Sequence, residues 1–577
     1  MCGIWTLINL VKEKETERGQ SSDIAKHLAD FWSLQNRGPD NSCFETFPQA
    51  WVGFHRLAIM DTSFESNQPY VFKEKDRTIV FLCNGEIYNF KELISKYSLD
   101  IEGNSDCMTI PKLYLKFKDP KEWMKLFDRE IKGEFAFVLL EFDHLKSLRK
   151  VIAGRDQIGI RPLYFHNPDK KSKQLIFTSE IKGAKNFNDT IEEFPPGRIL
   201  NFELNEFGEM NKESYNFKWV YNIRSLNKQR KDFDSIEYQK FEEEALMKIR
   251  NAVINSVRRR LDADRPIAFL LSGGVDSSLV AAIGQKILGV PIKTFCCGMK
   301  GGTDFKYAKM VADHIGSHHT EVYFTAEDGV NALKDVIYAT ETWDTTTVRA
   351  SVGQYMVCKH IGTKTDCKVV LVGEGPDEVC SSYLFNWYAP SGYDLDKAAR
   401  EYVRNIHLFD CRRGDRCISH WGLEGRVPLL DPEVIEAYWE LPDEFRHPKY
   451  KGMEKWFLRK AFDFDDLLPK EVLWRKKEAF SDGISSKEKS WYEIIQEDCE
   501  KKITDEMMEQ AKTEWPHQTP VTKEAYHFRN IFTDWYGIIR HNILSHYWKP
   551  YWNKDGKEIK DYVDPSARTL NIYQDDN

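Results

Sequence analysis

The hydrophobic rhythm of this chain changes once, between about residues 206 and 238, and that change divides what the chain can fold into. Before it, short β-branched and aromatic runs recur: CGIWTLI, WVGFHRLAIM, TIVFLCNGEIY, FAFVLLEF, KVIAGR and RILNFEL. Runs of this length and pattern predict strands. Helical spacing falls between them at 23–35, 91–97 and 108–117, so the segment reads as an α+β layered domain. The stretch 206–238 is polar and turn-rich and reads as a linker or peripheral excursion. From Phe241 the period becomes helical, in FEEEALMKIRNAVINSVRRRL. Strands then alternate with helices through PIAFLL, LVAAIGQKIL, KTFCCG, EVYF and KVVLVG. Such alternation predicts an α/β unit, a parallel sheet covered on both faces. Beyond Lys397 the pattern is mainly helical.

A chain of 577 residues exceeds one ordinary core. Its 41% hydrophobic content supplies packed interiors for more than one. The formal charge of −8 gives no long-range attraction to nucleic acid or to anionic lipid, so neither is expected as a partner. No run approaches the ~20 apolar residues that span a bilayer. No basic region precedes the first apolar run, which argues against a signal peptide and for a cytoplasmic protein. The 12 cysteines form no CxxC pair and read as reduced, mostly buried thiols.

Cys2 is the exception among them. It stands behind Met1 and ahead of Gly3, at the head of an apolar strand. A thiol nucleophile needs a base and oxyanion donors. Removal of Met1 would expose the α-amino group of Cys2, with pKa near ~8, as that base. Taken alone, the placement is as readily an accident of the translation start.

It is followed in order by the turn Arg37-Gly38-Pro39-Asp40, by FHRLAIM, NGEIYN and GRDQIGIRPLYF. These motifs resemble the glutaminase domain of the amino-terminal-nucleophile amidotransferases over nearly its whole length. The resemblance implies an αββα sandwich over 1–205, with Cys2 as nucleophile. It implies glutamine binding by Arg56, Leu57, Ala58, Ile59, Met60, Asn84, Gly85, Glu86 and Asp106. Residue chemistry agrees: Arg56 can fork onto a carboxylate. Asp106 and Glu86 can pair with an ammonium, and Asn84 and Gly85 can aim N–H groups at an oxyanion. Arg37 and Asp40 read as framing residues of their turn.

SGGVDSS, Ser272 to Ser278, falls where a buried strand turns into a helix. Consecutive small residues there leave backbone N–H groups pointing at one concavity, which suits phosphates. The turn lacks the GK[ST] ending of a Walker loop. It resembles instead the pyrophosphate loop of enzymes that cleave ATP to AMP. Asp276 is the natural Mg²⁺ candidate, because hard cations prefer carboxylate oxygen.

Further motifs, ETWDTTTVRASVGQYM, GEGPDE, GLEGRVPLLD, RKKEAFSDG, LSHYWKP and DPSARTL, resemble glutamine-hydrolysing asparagine synthetases, especially eukaryotic ones, along essentially the entire chain. The resemblance implies an ATP-pyrophosphatase-type synthetase domain over 239–577. It implies ATP contacts at Leu270, Ser272, Gly273, Gly274, Asp276, Ser277, Cys297, Val372, Gly373, Asp377 and Lys477. Glu374 takes the position linked to forming β-aspartyl-AMP, and Asp276 and Asp377 are the implied Mg²⁺ ligands. Lys476 reads as solvated. Arg349 and Arg426 are candidate anchors for aspartate carboxylates, and Arg426 reads equally well as a residue that holds the fold together.

The expected reaction takes L-aspartate, L-glutamine and Mg·ATP to asparagine, and the family passes ammonia between its sites inside the protein. A related amidotransferase with another acceptor, or a regulatory protein with an impaired synthetase half, are the alternatives. A homodimer stays open. Departures from the family pattern bear on the second alternative: Val372 and Pro376 stand where serines are usual, and Val275 where leucine is. One lost hydrogen bond near a phosphate costs about 0.5–1.5 kcal/mol, so ATP use is expected to be weakened and not abolished. NKDGKEIKDY reads as an inserted surface loop.

Overall fold

The computed structural model describes residues 1–10, 20–101, 103–117, 119–168, 174–187, 189–205, 210–226, 234–478, 483–485 and 489–564. Parts of the 206–238 stretch, of AFSDG and of DPSARTL therefore lie outside the described residues.

The amino-terminal strands are β1 (Gly3–Asn9), β2 (Asn41–Phe47), β3 (Ala50–Arg56), β4 (Tyr70–Lys73), β5 (Arg77–Ile87) and β6 (Gly133–Asp143). They continue with β7 (Leu148–Arg155), β8 (Tyr164–Phe165), β9 (Gln174–Thr178), β10 (Glu192–Glu193), β11 (Arg198–Leu204) and β12 (Met210–Asn216). Two six-stranded antiparallel sheets result, ordered β10-β8-β9-β1-β3-β2 and β12-β11-β7-β6-β5-β4. Alternation along the strands decides how they stack. Ile4 and Ile8 of β1 share a core with Val80 and Leu82 of β5, between the sheets. Trp5 and Leu7 turn the other way, onto Phe31 of helix α1 (Gln20–Trp32). Ile79 and Phe81 likewise pack on helical Leu113 and Trp123. Helices thus cover both outer faces of an αββα sandwich. Strand β12 extends the second sheet into the segment read as linker. Its polar residues are mostly exposed because it is an edge strand, so no apolar alternation marks it.

Helix α2 (Ser235–Arg259) opens the second unit, capped by Asp234, which accepts from the N–H groups of Ile236 and Glu237. Strands β13 (Ile267–Leu270), β14 (Lys293–Gly298), β15 (His318–Tyr323), β16 (Val369–Leu371) and β17 (Glu424–Arg426) follow. They form one parallel sheet in the order β15-β14-β13-β16-β17. The order reverses between β13 and β16, so the loops leaving these two strands diverge and open a crevice at their carboxyl ends.

Buried ion pairs join the two units. Arg37 meets Glu180 at 2.6 Å and Asp415 at 2.7 Å, and Arg260 meets Glu134 and Asp431, each at 2.8 Å. Among the described residues, no helix is long and apolar enough to cross a membrane. All 12 cysteines are unpaired and most are buried.

Candidate active sites

Cys2 lies where β1 begins, beside the end of β5. Its backbone N–H donates to Asn84 Oδ1 at 2.9 Å, and Arg37 Nε donates to its carbonyl at 2.8 Å. The first contact fixes the orientation of the Asn84 amide, since only the oxygen can accept. It leaves Asn84 Nδ2 buried and, among the described residues, without a partner. A buried orphan donor is costly unless something transient uses it. Gly85 allows the approach: a Cβ there would lie 2.2 Å from the Glu134 carbonyl oxygen on the paired strand β6. Burial pushes the Cys2 thiol up to about 11 and the Met1 amine down to about 6.

The loop after β3 carries the other expected glutamine contacts. Arg56 donates to the Ser63 carbonyl and to Asn67 Oδ1, both at 2.7 Å, and to the Asp61 carbonyl. These acceptors are uncharged, and no carboxylate among the described residues pairs with its guanidinium. Leu57, Ala58, Ile59 and Met60 are buried. Asp40 accepts from Ala58 N at 2.9 Å, so the RGPD turn frames this loop, and the fully buried Arg37 ties the turn to the second unit. Asp106 accepts from Ile87 N at 2.6 Å, and burial lifts its carboxyl to about 6. Glu86 is raised well above the usual carboxylate range by burial and by neighbouring Glu424 and Asp106, against the pull of Arg426.

The crevice of the parallel sheet holds a cavity of about 170 Å³. Leu270, Ser272, Gly274, Asp276 and Ser277 reach it from β13 and from helix α3 (Val275–Leu288). Gly373, Glu374 and Asp377 reach it from the loop after β16, and Lys477 from beyond. Among the described residues no side chain caps the amino end of α3, which leaves its first N–H groups available to an anion. Gly373 lets the two loops touch: a Cβ there would sit 2.6 Å from Ser277 N. Gln354 Nε2 donates to Glu374 Oε1 at 2.9 Å, and Arg413 lies 3.4 Å from the same oxygen. Burial raises the Glu374 carboxyl although Arg413 opposes it.

Some expected residues do not border this cavity. Gly273 takes φ +74 and packs on Tyr307 and Ala308, so it shapes the turn. The Cys297 thiol faces the Gly353 carbonyl at 3.0 Å. Val372 borders a second cavity between the units, together with Ile160, Arg161 and Val427. Both candidate aspartate anchors already hold carboxylates of the protein. Arg349 is held by Glu524 and Asp564, all three guanidinium nitrogens committed, and does not border the cavity. Arg426 is fully buried between Glu424, Glu86 and two backbone carbonyls.

Comparison with known proteins agrees with this two-site arrangement. The glutamine amidotransferase domain family matches residues 1–228, and the asparagine synthase family matches 248–402 and 389–537. Proteins named asparagine synthetase [glutamine-hydrolyzing] align along the whole chain. Those of Cricetulus griseus and Homo sapiens are 38% identical and that of Gallus gallus 37%, each over 100% of this chain and 99% of the relative. The chain belongs to the glutamine-hydrolysing asparagine synthetase family.

The two residues that replace serines of the family pattern sit apart from the SGGVDSS turn. The Val372 side chain faces the cavity between the units, away from the phosphate end of the crevice. Pro376 is the first residue of a short helix (Pro376–Val379), where its missing N–H has no helical partner to lose. Lys455, Gln354, Arg413, Arg475 and Asp304 also border the crevice, and sequence reasoning missed them. Lys476 is exposed, as expected, yet it too borders the crevice. The inserted stretch forms a turn in which Asn553 Oδ1 accepts from Asp555 N and Lys557 N, closed by a bridge between Trp552 and Glu558.

Proposed function

We propose that this chain makes L-asparagine from L-aspartate, with glutamine as nitrogen donor and ATP converted to AMP and pyrophosphate. It is a carbon–nitrogen ligase of the cytoplasm. Residues 1–205 with β12 form the glutaminase, and the synthetase runs from about 239 to 577. Both sites lie within one chain, so the chemistry requires no second subunit.

At the first site the thiol is neutral at physiological pH and needs a base. The Cys2 amine exposed by removal of Met1 is the base placed to take the thiol proton. Arg56 receives the carboxylate of glutamine, and Glu86 with Asp106 its ammonium. As the thiolate attacks the amide, Asn84 Nδ2 donates to the oxyanion, supported by the Gly85 segment. Ammonia leaves, and water later releases glutamate from the thioester.

In the crevice, Ser272 to Ser277 and the open end of α3 receive the phosphates. Asp276 and Asp377 fit a hard divalent cation: both are carboxylates, they converge from the two loops, and Asp276 Oδ1 is buried with no partner among the described residues. Mg²⁺ held there would neutralise phosphate charge during attack by the aspartate carboxylate. Glu374, gripped by Gln354 and Arg413, stands where ammonia meets the activated carboxylate and can take its surplus proton. Arg413, Arg475 and Lys476 border the crevice and are the cations we assign to orienting aspartate.

One observation carries the reading. Glu374 borders both the crevice and the cavity between the units, and Arg161 of that cavity touches the Met1 sulfur beside Cys2. Ammonia released at the first site would then travel inside the protein past Ile160, Val372 and Val427, whose apolar side chains favour its unprotonated form. The test supplies purified protein with aspartate, ATP and amide-labelled glutamine. Labelled asparagine with AMP is expected; ADP and phosphate as products would overturn the proposal.

A further inference from the structure

The cation nearest the two carboxylates of the crevice is Lys455, which precedes helix Trp456–Ala461 in a stretch with no recognisable motif. Its side chain is 1% exposed. Nζ lies 2.5 Å from Asp276 Oδ2 and 2.7 Å from Asp377 Oδ1, and Lys477 takes the other oxygen of Asp377 at 2.5 Å. One ammonium therefore bridges two loops that come from opposite sides of the strand-order reversal. The backbone supports this placement at some strain: Lys455 has φ +57 and ψ +26, a left-handed conformation that residues with a Cβ avoid.

Two carboxylates this close repel unless a cation sits between them. Lys455 supplies that charge at the oxygens a divalent cation would use. An ammonium is a compact point charge on a flexible stem, suited to exchanging partners. Phosphate oxygens entering the same cavity offer it such a partner.

We infer that Lys455 is a positioning residue for the nucleotide: its ammonium holds Asp276 and Asp377 together, competes with a divalent cation for them, and yields when phosphates arrive with the metal. The metal ion alone is then a poor ligand, and metal and nucleotide enter together. This rests on the crevice being the ATP site.

The experiment titrates the full-length protein with Mn²⁺, following free ion by electron paramagnetic resonance, with and without ATP. The unaltered protein and Lys455→Arg take up Mn²⁺ weakly without nucleotide. Lys455→Met, with its fold checked by circular dichroism, binds it about tenfold or more tightly, because one opposing charge is gone. In ammonia-driven synthesis the same variant raises KM for ATP about tenfold while KM for aspartate stays within about twofold. Unchanged Mn²⁺ affinity in folded Lys455→Met overturns the inference, as does an equal rise in both KM values. Lys455→Gln serves if the methionine variant does not fold. Unaltered protein that binds Mn²⁺ as tightly without ATP as with it also overturns the inference, whatever the variants do. Failure to take up Mn²⁺ even with ATP would instead sink the reading of the crevice, and the inference with it.

Discussion

Arg426 of strand β17 lies 3.2 Å from Glu86 of strand β5, so the parallel sheet of the synthetase reaches into the glutamine site through one buried ion pair. The same arginine holds Glu424 at 2.8 Å, and its backbone carbonyl accepts from Val372 N at 3.1 Å, one residue before Gly373 and Glu374. The two sites therefore share a rigid element. Removing the cation of a buried pair leaves its carboxylates uncompensated, at a cost of roughly 3–5 kcal/mol. Arg426→Gln is expected to lower thermal stability by an amount of that size and to weaken glutamine binding. Differential scanning fluorimetry and the glutaminase KM check both effects.

The orphan amide of Asn84 gives a sharper test. If Nδ2 serves the oxyanion, Asn84→Ala lowers glutaminase kcat by roughly a hundred- to a thousandfold. Ammonia-driven synthesis should persist, because the crevice does not use this residue. Cys2→Ala should show the same split in full: no glutamine-dependent asparagine, with synthesis from ammonium chloride retained. Both variants are read by measuring asparagine with each nitrogen source.

The pH profile follows from Asp106. Its ordinary value is 3.8, and burial lifts it to about 6. A raised acid is ionised only above its new value, and the ammonium of glutamine needs it ionised. Glutaminase kcat/KM should therefore fall as pH drops through about 6, since that parameter reports the free enzyme. Asp106→Asn should be poor at every pH and lose the inflection. Initial rates at low glutamine, from pH 5 to 8, decide it.

How much of this was legible in the sequence depended on whether a residue sat in a punctuated motif. Asp276 and Glu374 lie in glycine turns that follow strands, and Gly85 lies near the end of β5 in the NGE motif, so the text of the chain marked all three. Residues carried on helices did not. Arg349 stands in helix α4 (Thr345–Lys364) in a stretch that resembles the family, yet the crevice residue of that helix is Gln354. Five residues turn a helix by about 140° beyond a full revolution, so the two side chains face nearly opposite ways. Sequence alone does not say which face meets the crevice. Lys455 was hidden for a similar reason: MEKWFLRKAF reads as an ordinary amphipathic segment, and nothing in it announces a lysine turned inward. Strand β12 was hidden because an exposed edge strand needs no apolar alternation.

The proposed route of ammonia gives the last expectation. The cavity past Ile160 and Val427 holds only about 20 Å³, so one larger side chain suffices to close it. Val427 is 9% exposed and lies just after β17, bordering this cavity and not the crevice. Val427→Phe adds several carbon atoms where the protein has little room. Overpacking of this kind costs about 1–3 kcal/mol, which a large two-unit protein tolerates. Glutamine hydrolysis depends on Cys2, Asn84 and Arg56, and ammonia from solution enters the crevice by its open side, so each half-reaction should survive separately. Their coupling should not. The ratio of glutamate released to asparagine formed should rise well above one in the variant, with ammonia-driven synthesis near its normal rate. A ratio that stays near one would mean that nitrogen travels by another route.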